Sequence, residues 1–248
     1  MGYKNVFQRH EMKYLLTASQ QKEIIPLLEP YMMPDPYGRS VIRNLYYDTD
    51  NYRLARSSIE HPTYKEKLRI RSYGPPKLDS LIFVELKKKY RSVVFKRRIA
   101  MKEAQALQWL SREQDFPDKT QIVKEIDYFM DYYKSLKPSI FLSYERTAYL
   151  SRFESDLRIT FDDTILANKN QLSLHGPIKG ISFLPQDMVL MEIKSAWGMP
   201  LWLTTVLSAF QLYKTSFSKY GIAYQTLILG HRKETIFDDI LVFSRDLR

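Results

Sequence analysis

Three short segments carry a charged residue at every second position: Lys67-Leu68-Arg69-Ile70-Arg71, Glu85-Leu86-Lys87-Lys88-Lys89 and Glu192-Ile193-Lys194. In a β-strand alternate side chains point the same way at a rise of about 3.3 Å per residue, so positions i and i+2 stand roughly 7 Å apart on one face. Each segment is therefore a charged face backed by an apolar one. The pattern recurs at Arg9/Glu11/Lys13 and at Lys96/Arg98, whereas solvated strand faces usually mix in Thr, Ser and Gln. Gathered inside a closed sheet, such faces would line a cavity with cations and a few carboxylates, which a polyanion together with a metal ion would neutralise.

Two geometries satisfy this alternation. In a sandwich, Leu68, Ile70, Ile82, Val84 and Leu86 form the core between two sheets and the cations face water. In a ligand-holding barrel the same apolar residues pack outward against helices. Amphipathic stripes at Ile122, Ile126, Phe129 and Tyr133, and at Trp202, Val206, Ala209 or Phe210, and Tyr213, supply helices to cover that outer face, which favours the barrel.

The strand pattern predicts strands over Phe7 to Leu16, Val41 to Asp48, Tyr64 to Tyr73, Ser139 to Leu150, Asp156 to Asp162 and Met188 to Ser195. A hairpin joins Leu81–Tyr90 to Ser92–Ala100 around Lys88 to Arg91. Helices are expected from Thr17 or Ser19 through Leu28, over Lys102 to Arg112, over Asp118 to Leu136, and from Pro200 to about Ser218–Gly221. Tyr31 to Ser40 reads as a loop; Thr226 to Leu229 suits a strand, and the tail beyond suits a helix. The fold class is α+β, an antiparallel eight-stranded β-barrel with helices packed outside. With neither an internal repeat nor a low-complexity linker, residues 1–248 read as one domain.

At 248 residues and 44% hydrophobic content the chain can bury a sizeable core. Lys plus Arg (38) exceed Asp plus Glu (28), a net charge of +10 that points to phosphate-rich partners. The sequence has no cysteine, which excludes disulfides, thiolate zinc sites and thiol catalysis. Its eight glycines form no GxxxxGK[ST] loop, so phosphates would have to be held by side chains. His10, His61, His175 and His231 show no metal-ligand spacing and are read as incidental. Without an apolar stretch of about 18 residues or a signal-peptide pattern, the chain is expected to be cytoplasmic and to reach a membrane only through a membrane-protein partner.

Glu192 and Glu85 each stand two residues before a lysine on the same face. They are either exposed ion pairs, worth about 0–1 kcal/mol, or, inside a barrel, ligands for a hard cation such as Mg²⁺ or Mn²⁺ that also takes phosphate oxygens. Arg146 and Arg158 each add one arginine to an otherwise apolar strand. Their planar forks suit phosphate oxygens; the alternative is a structural ion pair, for instance Arg158 with Asp162.

Taken in order, Arg9-His-Glu-Met-Lys13-Tyr14, Asn44-Leu-Tyr-Tyr-Asp48-Thr49, Lys67-Leu-Arg-Ile-Arg71-Ser-Tyr73-Gly74, Val84-Glu-Leu-Lys87, Tyr144-Glu-Arg146, Leu157-Arg-Ile-Thr-Phe-Asp162, Met191-Glu-Ile-Lys194 and Phe217-Ser-Lys219-Tyr220 resemble the VTC domain, the catalytic domain of the vacuolar transporter chaperone polyphosphate polymerases, within the triphosphate tunnel metalloenzyme (CYTH-like) superfamily. The resemblance implies a tunnel of eight antiparallel strands whose basic walls bind triphosphate or polyphosphate. Carried over by position, Lys13, Arg69, Arg71, Arg146, Arg158 and Lys219 would be catalytic. Lys67, Lys87 and Lys194 would bind substrate, joined by Lys96 and Arg98. Glu192, with Glu85 and Glu11, would hold Mn²⁺ or Mg²⁺.

Hydrolytic members of that superfamily open with Glu-x-Glu-x-Lys, and here Arg9 occupies the first position. Losing one acid weakens the case for activating water, so the expected reaction is transfer of the γ-phosphoryl group of ATP onto a growing polyphosphate. The alternatives are a tripolyphosphatase or nucleoside triphosphatase, and a noncatalytic polyphosphate-binding module. Nucleic acid is not an expected partner, because Phe83 is the main aromatic in register with Glu85 and Lys87 and stacking of bases needs more. The phosphate-sensing domain and membrane helices of the eukaryotic polymerases are not found in the sequence, so the resemblance implies nothing about regulation or export.

Overall fold

The computed structural model describes residues 6–60, 62–77, 79–91, 93–154, 156–196 and 198–245; for residues 6–9, 233 and 241–245 it describes the backbone alone. The elements run β1 (Val6–Thr17), α1 (Ala18–Leu28), β2 (Met32–Pro34), β3 (Ser40–Asp48), α2 (Arg53–Ile59), β4 (Tyr64–Tyr73), β5 (Leu81–Tyr90), β6 (Val93–Lys102), α3 (Glu103–Leu110) and α4 (Gln121–Tyr133). They continue with β7 (Lys137–Ser151), β8 (Arg158–Asn168), β9 (Ile181–Ser182), β10 (Met188–Ser195), α5 (Leu201–Ala209), α6 (Lys219–Leu227) and α7 (Lys233–Arg245).

Eight strands close into an antiparallel barrel in the order β7-β3-β4-β5-β6-β1-β10-β8, with β8 pairing back onto β7. The short β2 and β9 extend the wall beside β7 and β8. Closure depends on pairings between distant parts of the chain, such as His10 with Ser195 and Ser40 with Arg146. Every strand of a closed barrel has one face inside and one outside, and the apolar faces turn outward here.

Two helical covers bury that outer surface. On one side Ile24 and Leu28 of α1 and Leu203 and Leu207 of α5 pack on Leu16, Ile159, Phe161, Met191 and Ile193. On the other, Trp109 and Leu110 of α3 and Val123, Ile126, Phe129 and Met130 of α4 join the cluster that holds Leu68, Ile70, Ile82, Val84 and Leu86. A fully buried Leu, Ile or Val contributes about 1.5–3 kcal/mol, so these faces anchor the wall and leave the charged faces no place but the interior. The sandwich is thereby excluded.

Local signals explain most boundaries. Thr17 caps α1 in a capping box: its hydroxyl accepts from the Gln20 N–H at 3.1 Å, and the Gln20 side chain accepts from the Thr17 N–H at 2.9 Å. Pro26 is accommodated without ending the helix. Gly74 takes φ = +75° in the turn after β4, a conformation that favours glycine.

Several expectations are corrected. The β5–β6 pairing runs on to Tyr90 and Val93, so Lys88 to Tyr90 belong to the ladder and, of the expected turn stretch, only Arg91 lies in the turn; Ser92 itself is outside the described residues. Strand β8 continues to Asn168 because its register on β7 is carried past Asp163 by a bulge. The first described loop, Tyr31 to Ser40, contains β2. The buried stripe of α4 is Val123/Ile126/Phe129/Met130, with Ile122 and Tyr133 at its flanks, because the helix packs one position round from the spacing chosen. The helix after Pro200 ends at Ala209, and Leu203 and Leu207 form its buried face while Trp202 stacks on Tyr31 at 4.2 Å. Ser218 begins a new helix instead of ending one, so Thr226 lies in α6 and no strand covers Thr226 to Leu229.

Candidate functional site: a charged tunnel

The inward faces of all eight barrel strands meet in a cavity of about 220 Å³ along the barrel axis, with Tyr46 contributed by β3. It is lined by Glu11 and Lys13 of β1, Lys67, Arg69 and Arg71 of β4, Lys87 of β5, Lys96 and Arg98 of β6, Arg146 of β7, Arg158 of β8, and Glu192 and Lys194 of β10. Lys219 enters from the first turn of α6. Glu85 is the one expected site residue outside this lining. It sits directly behind, 1% exposed, and is ion-paired with three of the cations. Eleven basic side chains thus share one interior, as strand alternation requires once the barrel closes. The side chain of Arg9 lies outside the described residues.

Two carboxylate centres organise the cations. The Arg69 guanidinium donates to Glu85 at 2.8 and 2.9 Å, Lys96 approaches its other oxygen at 2.6 Å, and Arg71 stands at 3.7 Å. Arg71 also donates to Asn44 at 2.9 Å and to the Tyr144 hydroxyl at 3.0 Å, and Arg69 to the Tyr46 hydroxyl at 2.7 Å. Burial would raise the Glu85 carboxyl, yet Arg71, Lys96 and Arg69 together hold it well below its ordinary 4.5.

The second centre joins Asp162 and Glu192. Arg146 grips Asp162 with a bidentate fork at 2.6 and 2.7 Å, and Lys219 bonds Asp162 at 2.6 Å and Glu192 at 3.3 Å. Lys194, Arg146 and Lys13 stand 3.1, 3.6 and 3.7 Å from Glu192. Against the burial penalty, Lys219, Lys194, Lys13 and Arg146 keep Glu192 well below 4.5, while Asp162 and Glu192 raise Lys219 despite its burial. Nearby, Lys87 pairs with Glu11 at 2.5 Å; with Lys194 it lowers the Glu11 carboxyl against the opposing effect of burial.

Two lysines carry the cost of crowding. Burial pulls Lys13 down to about 8, the neighbouring Lys219 and Lys87 offsetting part of the support from Glu192 and Glu11. Lys67 falls well below 10.5 through burial and then Lys13, Lys87, Lys65 and Arg69; its Nζ donates to the Ser218 hydroxyl at 2.9 Å. The interior holds more positive charge than its four carboxylates balance, and that surplus is what an anionic ligand would relieve.

The tunnel opens differently at its two ends. One mouth, about 280 Å³, shares Glu11, Lys13, Lys67 and Lys87 with the centre and adds Lys65, Lys89 and Lys214. The other, about 700 Å³, shares Tyr73, Arg98, Arg146 and Arg158 with the centre and adds Tyr37, Leu81, Phe83, Pro76 and Ile42. There Arg98 lies 4.4 Å over the Phe83 ring and Arg158 bonds Asp35 at 2.8 Å. Both arginines do make ion pairs, but the alternative partner Asp162 is not that of Arg158: four residues along a strand separate their Cα atoms by roughly 13 Å, and Asp162 instead faces Arg146 across the β7–β8 register.

Glu192 does have Lys194 as a neighbour, whereas Glu85 pairs across strands and not with Lys87. Sequence reasoning missed Asp162, Asn44, Tyr46, Tyr73 and Tyr144, although each stands at an even spacing from a tunnel residue or its strand partner, so the alternation that found the cations could have found them. These tyrosines also make the cavity more aromatic than Phe83 alone implied. Ser218 and Tyr220 had no such signal, because they belong to a helix start. Of the histidines, His175 sits exposed against Glu103 at 2.6 Å, and His61 is outside the described residues.

Among the described residues no group of three or more His, Cys, Asp or Glu is arranged to hold a metal. Glu11 and Glu192 do offer two hard oxygen donors to the same cavity, which suits the mode in which Mg²⁺ or Mn²⁺ takes one or two carboxylates and completes its shell with substrate phosphates and water. No helix among the described residues is long and apolar enough to cross a membrane.

The sequence profile of the VTC domain matches residues 8–228. No curated protein matches the chain. Among solved structures, a candidate adenylate cyclase from Bacillus halodurans is similar in fold, with a TM-score of 0.52 at 17% identity over 84% of this chain and 92% of that one. A candidate adenylyl cyclase from Hippeastrum, described as having a dominant triphosphatase activity, gives a TM-score of 0.51 at 14% identity over 88% of this chain and 95% of that one.

Proposed function

The chain belongs to the VTC-domain family, and from that premise we propose that it is a metal-dependent polyphosphate polymerase, one domain over residues 1–248, which transfers the γ-phosphoryl group of ATP onto inorganic polyphosphate within the tunnel. The observation that carries the reading is the enclosure of eleven basic side chains in a barrel open at both ends. A polyanion is the chemistry that such an interior accepts.

The unlike mouths support a direction. Tyr37, Tyr73 and Phe83 present aromatic surface beside Arg98, Arg146 and Arg158, which suits a nucleoside attached to a phosphate chain. Lys65, Lys89 and Lys214 continue the positive lining at the other end, which suits a phosphate chain without a base. In the step itself a terminal oxygen of the polyphosphate attacks Pγ, the bond from Pγ to the β,γ-bridging oxygen breaks, and ADP leaves with that electron pair. Phosphoryl transfer needs positioning and charge stabilisation more than covalent chemistry from the protein. Arg69, Arg71, Arg146, Arg158, Lys13 and Lys219 would supply both, and Lys67, Lys87, Lys96, Arg98 and Lys194 would bind the flanking phosphates. Glu192 and Glu11 would hold Mg²⁺ or Mn²⁺, which when bound neutralises phosphate charge; Glu85, surrounded by three cations, serves better as their counter-charge.

The test is incubation of the protein with ATP and Mn²⁺ or Mg²⁺, followed by gel separation of products stained for polyphosphate. Chains that lengthen with time, and that vanish in Glu192→Ala, support the reading. Orthophosphate and ADP without chains would identify a hydrolase instead, and tripolyphosphate binding without turnover a noncatalytic module.

A further inference from the structure

Lys219 reaches the tunnel from a helix and not from the barrel wall, so its position depends on where α6 begins. Local forces do not settle that point. A lysine in the first turn of a helix opposes the positive end of the helix dipole, and the following Tyr-Gly-Ile-Ala-Tyr run contains poor helix formers. Ser218 caps the helix, its hydroxyl accepting from the Gly221 N–H at 3.0 Å. Gly221 lets α6 approach α2 closely: a Cβ there would meet Ile59 at 2.8 Å.

The decisive anchor is Asp48, fully buried at the end of β3. One of its oxygens accepts from the N–H groups of Thr49 at 2.8 Å and Leu54 at 2.9 Å. The other accepts from the Ala55 N–H at 2.9 Å and the Tyr220 hydroxyl at 2.7 Å. The Tyr220 ring is 1% exposed and stacks on Tyr46 at 4.3 Å, with the Ser139 hydroxyl 2.9 Å from its own. One carboxylate therefore ties strand β3, the start of α2 and the start of α6 together. Lys219 precedes Tyr220 directly, and from there its ammonium meets Asp162 and Glu192.

We propose that Asp48 and Tyr220 are positioning residues for Lys219, holding its ammonium in the tunnel through the Asp48–Tyr220 hydrogen bond, with Asp48 behind the wall and only the almost fully buried Tyr220 ring bordering the cavity. This rests on the tunnel being the phosphate site. Tyr220 lies on a helix, outside the strand alternation, and Asp48, two residues beyond Tyr46 but past the irregular register between Tyr46 and Tyr47, bonds backbone amides and not the cation cluster.

Inorganic tripolyphosphate is the probe, with affinity measured by calorimetry on the wild-type chain, Tyr220→Phe, Asp48→Asn, Lys219→Ala and each pairing with Lys219→Ala. Thermal unfolding establishes that each protein is folded at the assay temperature. Tyr220→Phe keeps the ring and its stack on Tyr46 and removes only the hydroxyl, with its bonds to Asp48 and Ser139; Asp48→Asn is the second, near-isosteric variant and leaves the Ser139 contact in place. The expected result is a loss of about tenfold in Lys219→Ala and three- to tenfold in Tyr220→Phe and Asp48→Asn, with no further loss when either is added to Lys219→Ala. Such coupling is the mark of residues that act through one another, whereas general loosening of the fold would weaken both backgrounds alike. Equal losses in both backgrounds, or full affinity in Tyr220→Phe and Asp48→Asn, would overturn the proposal while leaving the tunnel reading intact. A wild-type protein that takes up no tripolyphosphate would overturn both.

Discussion

Replacing Glu85 by glutamine keeps the shape of the side chain and removes the negative charge shared by Arg69, Arg71 and Lys96. Glu85 is 1% exposed, with cationic nitrogens at 2.6, 2.8 and 3.7 Å, so water cannot replace it. Removing one partner from a buried charge cluster costs about 3–5 kcal/mol, because the remaining charges stay buried without compensation. For a chain of this size 1 kcal/mol corresponds to roughly 2–4 °C in Tm, so Glu85→Gln should melt about 10 °C below wild type. Added tripolyphosphate should recover part of that difference. At 100 times its Kd a ligand stabilises by about 2.7 kcal/mol, and in the variant the anion also meets three under-neutralised cations, so its Tm rise should exceed the wild-type rise.

The pH dependence has a definite sign. The Glu85 carboxyl is depressed in the folded state, so its contribution is complete above its ordinary 4.5 and is lost only as pH falls through the lower folded value. The gap between wild type and variant should stay flat from pH 8 to 5 and narrow only in stronger acid. Thermal unfolding followed by circular dichroism, with and without tripolyphosphate, measures both effects. A variant that melts within about 2 °C of wild type would refute the reasoning, as would a tripolyphosphate-induced rise no larger than that of wild type.

Two further outcomes follow from the lining. Lys67 is depressed when the tunnel is free of anion, and a bound polyphosphate would raise it again; binding should therefore take up a proton, and affinity should weaken as pH rises through the depressed value. Calorimetry in buffers of different ionisation enthalpy should show this uptake in wild type and a smaller one in Lys67→Arg. If Lys65, Lys89 and Lys214 continue the path of the chain, their joint replacement by glutamine should shorten the products seen on gels more than it slows ATP consumption, and an unaltered length distribution would count against that path.

Much of this molecule was legible before any coordinates, for a simple reason. A strand has a period of two, so Lys67/Arg69/Arg71 and Leu68/Ile70 had to lie on opposite faces wherever the strand went. The N-terminal helix was legible too, since Thr17 and Gln20 make their capping box within one turn. Helix α2 was missed because its seven residues begin at amides capped by Asp48, a residue in the preceding strand whose role depends on burial. Helix α6 was missed because Tyr220 and Gly221 argue against a helix until Asp48 and Ile59 are brought beside them.

Ion-pair partners were the least legible part. Along one strand Glu85 has Lys87 as its neighbour, but in the barrel its closest cations come from β4 and β6, and Lys87 turns to Glu11 on β1. Such choices depend on register and on how far each side chain reaches across the interior, and neither is written in local spacing. What the amino-acid order determined by itself was a set of strands each charged on one face and apolar on the other. Whether the charged faces met inside or looked out to water was decided only by closure, when β1 paired with β10 and β8 with β7, because a two-residue period is the same in a sandwich and in a barrel and only long-range pairing separates them.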